Sequence, residues 1–287
     1  MSQSIGPPVR RSAPLAYVLA CLALTALRPA WANDDFFDDD AQTPSPITDF
    51  FSLRASYWYA WVNTELRVDP SGLPLAGTPL NGTQDLGYKP DENEGTIEVM
   101  FRLRERNRIR ADFTELDQAG AASLSRPTVF GNQEFNTGTV LNSSLVWRVL
   151  GITYTYAFIQ NDHFELGVGA GVHLMDLSVR GNAPATFQSY DTSVAGAVPT
   201  PALEAIWRAT NLISFTARGD YIKANLNETT GSFGDFHTDV QFRVFTDLQF
   251  GAGYSLMKLK VDSTTYGNPG LSGIRLRGPE LFVRASF

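Results

Sequence analysis

The stretch that decides the fold is "ELFVRASF", residues 280–287. Leu281, Val283, Ala285 and Phe287 fall on one face and Phe282, Arg284 and Ser286 on the other. That is the period of two of a β-strand with one apolar side. Soluble domains usually finish in a frayed polar tail, so a strand ending on an aromatic residue asks for a partner strand to close onto.

Upstream the same pattern recurs. "FFSLRASYWYAWVNTELRV", from Phe50, sets Leu53, Ala55, Tyr57, Tyr59 and Trp61 against Arg54 and Ser56. "TIEVMFRLR" sets Ile97, Val99, Phe101 and Leu103 against Glu98, Arg102 and Arg104, and "IRADFTE" sets Ile109, Ala111 and Phe113 against Arg110, Asp112 and Thr114. The segment 139–159 ends with Ile152, Tyr154, Tyr156 and Phe158 on one face. "HFELGVGAGVHLMD" places Phe164, Leu166, Val168, Ala170, Val172 and Leu174 opposite Glu165, three glycines and His173. Further strands are expected at 201–207, 213–221, 240–244, 248–256 and 274–287, which makes ten. The segment 139–159 is long enough to hide a turn at the Val149 break, and counts of 8 or 12 stay open.

The connections decide the architecture. Long segments at 68–94, 119–138 and 181–196, and medium ones at 227–237 and 263–273, alternate with short turns at 105–107, 160–162, 209–211 and 246–247. A sandwich has no reason to gather its long loops at one end, whereas a transmembrane antiparallel up-and-down β-barrel does. Lipid offers no partner to backbone N–H and C=O, so strands cross it only as a closed ring, and the last strand is expected to pair with the first. A mean hydropathy of −0.13 fits a wall with only one apolar face. Tyr57, Tyr59, Trp61, Tyr154, Tyr156, Phe158, Trp207, Phe215, Tyr221, Tyr254 and Phe287 suit interfacial aromatic belts.

The front of the chain agrees. Residues 1–32 hold Arg10 and Arg11, the apolar run "APLAYVLACLALTAL" and then "RPAWA", the pattern of a signal peptide cut after Ala32. The run is too short for a spanning helix, and it continues past Cys21, against lipoprotein processing there. Cys21 is the only cysteine, so disulfides are not expected to hold the remainder. Residues 33–49, with "NDDFFDDD", read as an acidic, disordered periplasmic segment, and 50–287 as the barrel. The full sequence carries a net charge of −7 without basic clusters, which argues against nucleic acid as a partner.

The chain resembles the outer-membrane β-barrel proteins of Gram-negative bacteria. The resemblance spans about Phe50 to Phe287 and rests on the leader, on "LFVRASF", and on phrases such as "FELGVGAGVHL" and "LQFGAGYSL". It implies Phe287 as the signal read by the barrel assembly machinery, an outer-membrane location, lipid as the surrounding partner, and a monomer. It adds no cofactor and no peptidoglycan-binding domain. Breaks in the alternation at Val149–Leu150 and at Gly278–Pro279 read as bulges.

The inward list is charged: Arg54, Glu98, Arg102, Arg104, Arg110, Asp112, Glu165, His173, Glu204, Arg208, Arg218, Asp220, Arg243 and Arg284. Buried charges need compensation, and barrels of few strands are commonly filled by side chains, so a plugged lumen and a structural or surface role are expected. The inward glycines Gly167, Gly169, Gly171, Gly251 and Gly253 leave open a narrow pore, whose arginine excess would favour anions.

A third reading is enzymatic. In "GSFGDFHTD", taken as the loop before the eighth strand, Asp235 and His237 with Asp239 nearby would let a carboxylate orient an imidazole. This is similar to the omptin surface proteases, which also need a facing acidic pair; Glu115 and Asp117 are the only candidates. No Ser/His constellation is legible. His163, His173 and His237 fall on a turn, the inner wall and a loop, and so give no metal site, and "NDDFFDDD" lacks the glycine and final glutamate of a calcium loop. Sequons at Asn81, Asn142 and Asn227 carry no weight in a bacterial product.

Overall fold

The computed structural model describes residues 46–70, 76–226, 229–263 and 271–287. The expected leader, Cys21, the acidic run and Asn227 lie outside them.

Ten long antiparallel strands form the wall: β1 (Phe51–Arg67), β2 (Asp91–Arg104), β3 (Asn107–Ser123), β4 (Val140–Gln160), β5 (Phe164–Ala183), β6 (Gln188–Arg208), β7 (Ile213–Leu226), β8 (Thr229–Arg243), β9 (Leu248–Ser263) and β10 (Leu271–Ser286). Each pairs with its sequence neighbour, and β10 pairs with β1 through Leu53↔Ala285, Ala55↔Val283 and Tyr57↔Leu281. The ring is therefore closed, with the last strand against the first. The Phe287 amide donates to Phe51 O at 2.9 Å and the Phe50 amide to Phe287 O at 2.7 Å.

Four tight turns lie at one end, here the turn end. Side chains fix two of them: Asn161 Oδ1 accepts from the amides of His163 and Phe164 at 2.9 and 2.8 Å, and Thr210 Oγ1 from those of Leu212 and Ile213. These are the Asx and Ser/Thr turns that polar residues before a strand favour. At the other end, the loop end, 68–90 carries the short strand Leu80–Asn81. The loop 124–139 carries a hairpin of Thr128–Phe130 and Gln133–Phe135, turned at Gly131 with φ 60°.

Several segments expected as loops are wall. Residues 181–196 form the tall tips of β5 and β6 with only 184–187 between them, β3 runs to Ser123, and β8 begins at Thr229. The expected bulge at Val149–Leu150 is absent: Val149 points inward, 1% exposed, and Leu150 outward, with the β4–β5 register unbroken until a shift at Ala157/Ile159. At Gly278–Pro279 the β1–β10 pairing lapses without a register shift, since Trp58↔Glu280 and Trp61↔Arg277 keep one register. Gly278 is needed because a Cβ there would collide with the Tyr59 carbonyl.

The two faces of the wall exchange character partway up. Near the turn end the outward residues are apolar and open, such as Leu281 at 62% and Trp207 at 53% exposure, as a lipid-facing belt requires and a soluble surface avoids. Above Trp61, β1 turns Asn63, Glu65 and Arg67 outward and buries Val62 and Leu66 inward. On β4, Asn142 and Arg148 face out while Leu141, Leu145, Trp147 and Val149 face in. The Val149–Leu150 step is where the apolar face changes sides.

Candidate functional site: the barrel lumen

Two layers occupy the interior. The turn-end layer is a web of ion pairs. Arg54 donates to Asp239 at 2.7 Å, to Ser56 at 3.1 Å and to Glu280, and its guanidinium lies 3.6 Å over the Phe282 ring. Glu98 pairs with Arg218 and, at 3.6 Å, with Arg110, which also reaches Glu204. Arg108 bridges Glu165 at 2.8 Å and Glu204 at 3.5 Å, and Arg102 meets Glu165 at 3.4 Å. Arg284 binds Gln249 at 3.1 Å, Gln241 at 3.2 Å, and Asp49. Opposite charges from eight different strands meet in this way, which lets the buried charges compensate one another.

Chain from before the barrel completes this layer. Pro46, Ile47 and Asp49 are buried. Arg102 donates to the carbonyls of Asp49 at 3.0 Å and Pro46 at 3.2 Å, and Arg108 to that of Pro46. Residues 46–49, expected in the disordered periplasmic segment, are instead seated among the lumen arginines. An arginine pair short of acceptors draws in backbone carbonyls.

The loop-end layer is a hydrophobic core inside the barrel. Trp58, Leu66, Leu86, Tyr88, Leu116, Leu141, Leu145, Trp147, Phe233, Met257 and Leu276 pack together, joined by Phe130 and Phe135 of the loop hairpin. His173 belongs here, its ring 4.6 Å from that of Phe233. Glycine positions are occupied as well. A Cβ at Gly251 would enter the Phe282 ring, one at Gly253 would meet Asp239 at 2.8 Å, and one at Gly171 would meet Thr153 Oγ1 at 2.7 Å. Between Arg54, Glu98, Arg110, Glu204, Arg218 and Arg284 a cavity of about 20 Å³ remains, room for roughly one water.

Of the fourteen residues expected to face the lumen, thirteen do. Arg208 and Arg243 are half-buried at the turn end, Asp112 lies beneath Gly151, and Asp220 takes a bond from Thr200 at 3.5 Å. Arg104 does not: it is exposed at the turn, where the β2–β3 register shifts between Arg102 and Arg104. Sequence reasoning missed Arg108, taken for turn, and Asp49. It also missed Glu280, although the alternation of 280–287 places it beside Phe282 and Arg284.

Asp235 and His237 are likewise not on a loop. Both project inward from β8, Asp235 buried and His237 partly so, with His237 Nε2 2.9 Å from Asp235 Oδ1 and Nδ1 2.7 Å from Ser255 Oγ of β9. This Ser–His–Asp chain has the connectivity of a nucleophile, base and orienting acid. Ser255, however, has no exposed surface, and the apolar core covers the loop-end side. Glu115 and Asp117 cannot join it: they face outward from β3, Glu115 binding Arg148 at 2.6 Å.

At the loop end a polar cleft of about 320 Å³ opens between Glu65, Asn81, Gln84, Asp85, Ser125 and Arg126. Arg126 fixes its rim through the Pro79 carbonyl at 2.7 Å and Asp85 at 3.5 Å.

A closed ring of ten strands with an outward apolar belt defines an outer-membrane β-barrel fold. Among solved structures, the outer-membrane protease OmpT of Escherichia coli matches over 86% of this chain and 99% of its own, with a TM-score of 0.54 and 9% identity. Neisserial surface protein A matches over 83% and 97% at TM-score 0.33 and 12% identity. Ail of Yersinia pestis matches over 80% and 97% at 0.33 and 8%. The likeness to OmpT is one of fold, and the other two scores are too low to add to it. No protein-family model matches the chain, and no curated protein matches it by sequence.

Proposed function

We propose that the protein is an integral barrel of the bacterial outer membrane with a closed lumen, serving a structural role or acting through its loop end at the cell surface. The observation that carries this reading is the two-layer filling. An ion entering from the turn end meets paired guanidinium and carboxylate groups, and beyond them a packed apolar core that offers it no ligands. With the lumen filled, the surfaces left to act are the loop-end cleft and the outer wall. Planar-bilayer recording on the refolded barrel tests it: silence across voltages is expected. Steady conductance with anion preference would overturn the closed lumen in favour of a narrow pore.

The Ser255–His237–Asp235 chain supports a second reading, a hydrolase, and OmpT is itself a protease. Burial of Ser255 weighs against it, because no substrate carbonyl can approach Oγ unless the core opens. The two readings separate on peptide and ester cleavage by the wild type and by Asp235→Ala/His237→Ala. Cleavage lost in that variant would establish the hydrolase, and none by the wild type would remove it.

A further inference from the structure

Outward charges just above the apolar belt are distributed unevenly around the barrel. On the β3–β6 side they are paired: Arg148 lies between Glu115 at 2.6 Å and Asp176 at 3.8 Å, and Arg180 meets Asp191 at 3.0 Å. On the β7–β10 side they are almost all of one sign. Lys223 of β7, Lys258 and Lys260 of β9, and Arg275 and Arg277 of β10 point outward, four of them exposed and Lys258 half-buried. None of the five forms an ion pair among the described residues. Arg67, at the edge of this side, is already taken by Asp69 and Asp262.

The ladder brings like charges face to face. Lys258 is the direct β9–β10 partner of Arg275, Arg277 faces Leu256, and Lys260 connects through Ser232 to Lys223. Two carboxylates border the outermost row: Glu65, across Gly273 from Lys260, and Asp262, two residues beyond Lys260 on β9, which is held by Arg67 at 3.5 Å. Directly opposed cations destabilise a sheet, so the arrangement calls for an anion. Three strand spacings and two residue-pair steps give a patch about 14 Å each way, larger than one phosphate.

What lies beneath the patch identifies the anion's carrier. Tyr221, Phe236, Tyr254 and Leu281 continue β7–β10 toward the turn end as exposed apolar wall, and Trp61 of β1 lies beside them as the ladder partner of Arg277. Aromatic residues at this height mark the headgroup level of a bilayer. A ligand that satisfies both zones carries two or more phosphates above and acyl chains below.

We infer that the β7–β10 wall is a binding surface for a multiply phosphorylated lipid of the outer leaflet, held by Lys223, Lys258, Lys260, Arg275 and Arg277. This rests on the outer-membrane reading, which fixes the loop end outward. The same chemistry in a free anion would bind the cations without using the apolar wall.

Native mass spectrometry of the refolded barrel in neutral detergent tests the inference, with diphosphoryl lipid A, the same lipid stripped of phosphate, and inorganic pyrophosphate as probes. The wild type should retain the diphosphoryl lipid over the stripped one. Lys258→Gln/Lys260→Gln/Arg275→Gln/Arg277→Gln should lose it, by about five-fold per cation removed, and Arg148→Gln/Arg180→Gln should keep it. Should the quadruple variant fail to fold, Lys258→Gln/Arg275→Gln serves in its place. Equal retention by the variant or of the stripped lipid would overturn the site, and retention of pyrophosphate without the lipid would overturn the lipid as carrier. Gel mobility before and after boiling separates the failures. A wild type that shows no shift sinks the barrel reading and this site with it, whereas a normal shift without lipid discrimination sinks the site alone.

Discussion

Arg54 of β1 grips Asp239 of β8 at 2.7 Å, although three steps around the wall separate their strands. The pair is a strut through the interior, and its removal strands two carboxylates, Asp239 and Glu280. Arg54→Ala should cost about 3–5 kcal/mol, read as a lower denaturant midpoint of the refolded barrel by tryptophan fluorescence. Adding Asp239→Asn and Glu280→Gln should recover part of the loss, because the uncompensated charges go. A further drop on adding them would show that the strut is not what holds these strands.

Gly251 owes its identity to Phe282, whose ring fills the space of a Cβ. Gly251→Ala should destabilise by about 1–3 kcal/mol through overpacking. Paired with Phe282→Leu it should cost less than the two changes summed, a coupling that a double-mutant cycle measures.

The seated segment 46–49 contributes to stability through Asp49. Asp49→Ala leaves Arg284 without its carboxylate and should lower the unfolding midpoint by an amount comparable to the Arg54 change. It should also speed protease cleavage near Pro46, timed by intact-mass analysis. Unchanged cleavage would mean that the segment is held by its backbone carbonyls alone.

Ser255→Ala removes the partner of His237 Nδ1 in a site without solvent. A cost of about 1–3 kcal/mol is expected, visible in the same fluorescence titration, because in the closed-lumen reading the hydroxyl belongs to the packing. A variant as stable as the wild type would reopen the hydrolase reading.

Outward pairs should behave differently. Arg148→Ala breaks half-exposed contacts to Glu115 and Asp176 and should cost no more than about 1 kcal/mol, a difference that fades in high salt.

Strand number, closure and most lumen-facing residues were legible in the sequence because alternation states them directly. Leu281, Val283 and Ala285 outward dictated Arg284 inward, and the same rule reached Glu98, Glu165 and Glu204. What escaped was the wall above the belt. Segments such as "QSYDTSVAGAV", 188–198, and "GSFGDFHTD" are rich in Gly, Ser, Thr and Asp, which read as loop by composition, yet both are strand. Paired backbone and burial against an interior core override those local preferences. Trp58, Trp147 and Phe233 were hidden for a related reason. Apolar residues were assigned to lipid throughout, whereas above Val149 they belong inside.

The exchange of faces along each strand also sets depth. A barrel polar inside and apolar outside along its whole height could ride higher or lower in a bilayer at little cost. Here sinking would draw Lys258, Arg275 and Arg148 into hydrocarbon, and rising would bring Trp61, Leu150 and Tyr254 into water. The folded sheet thus carries its own waterline, encoded residue by residue as the point where the side that shuns water changes from outside to inside.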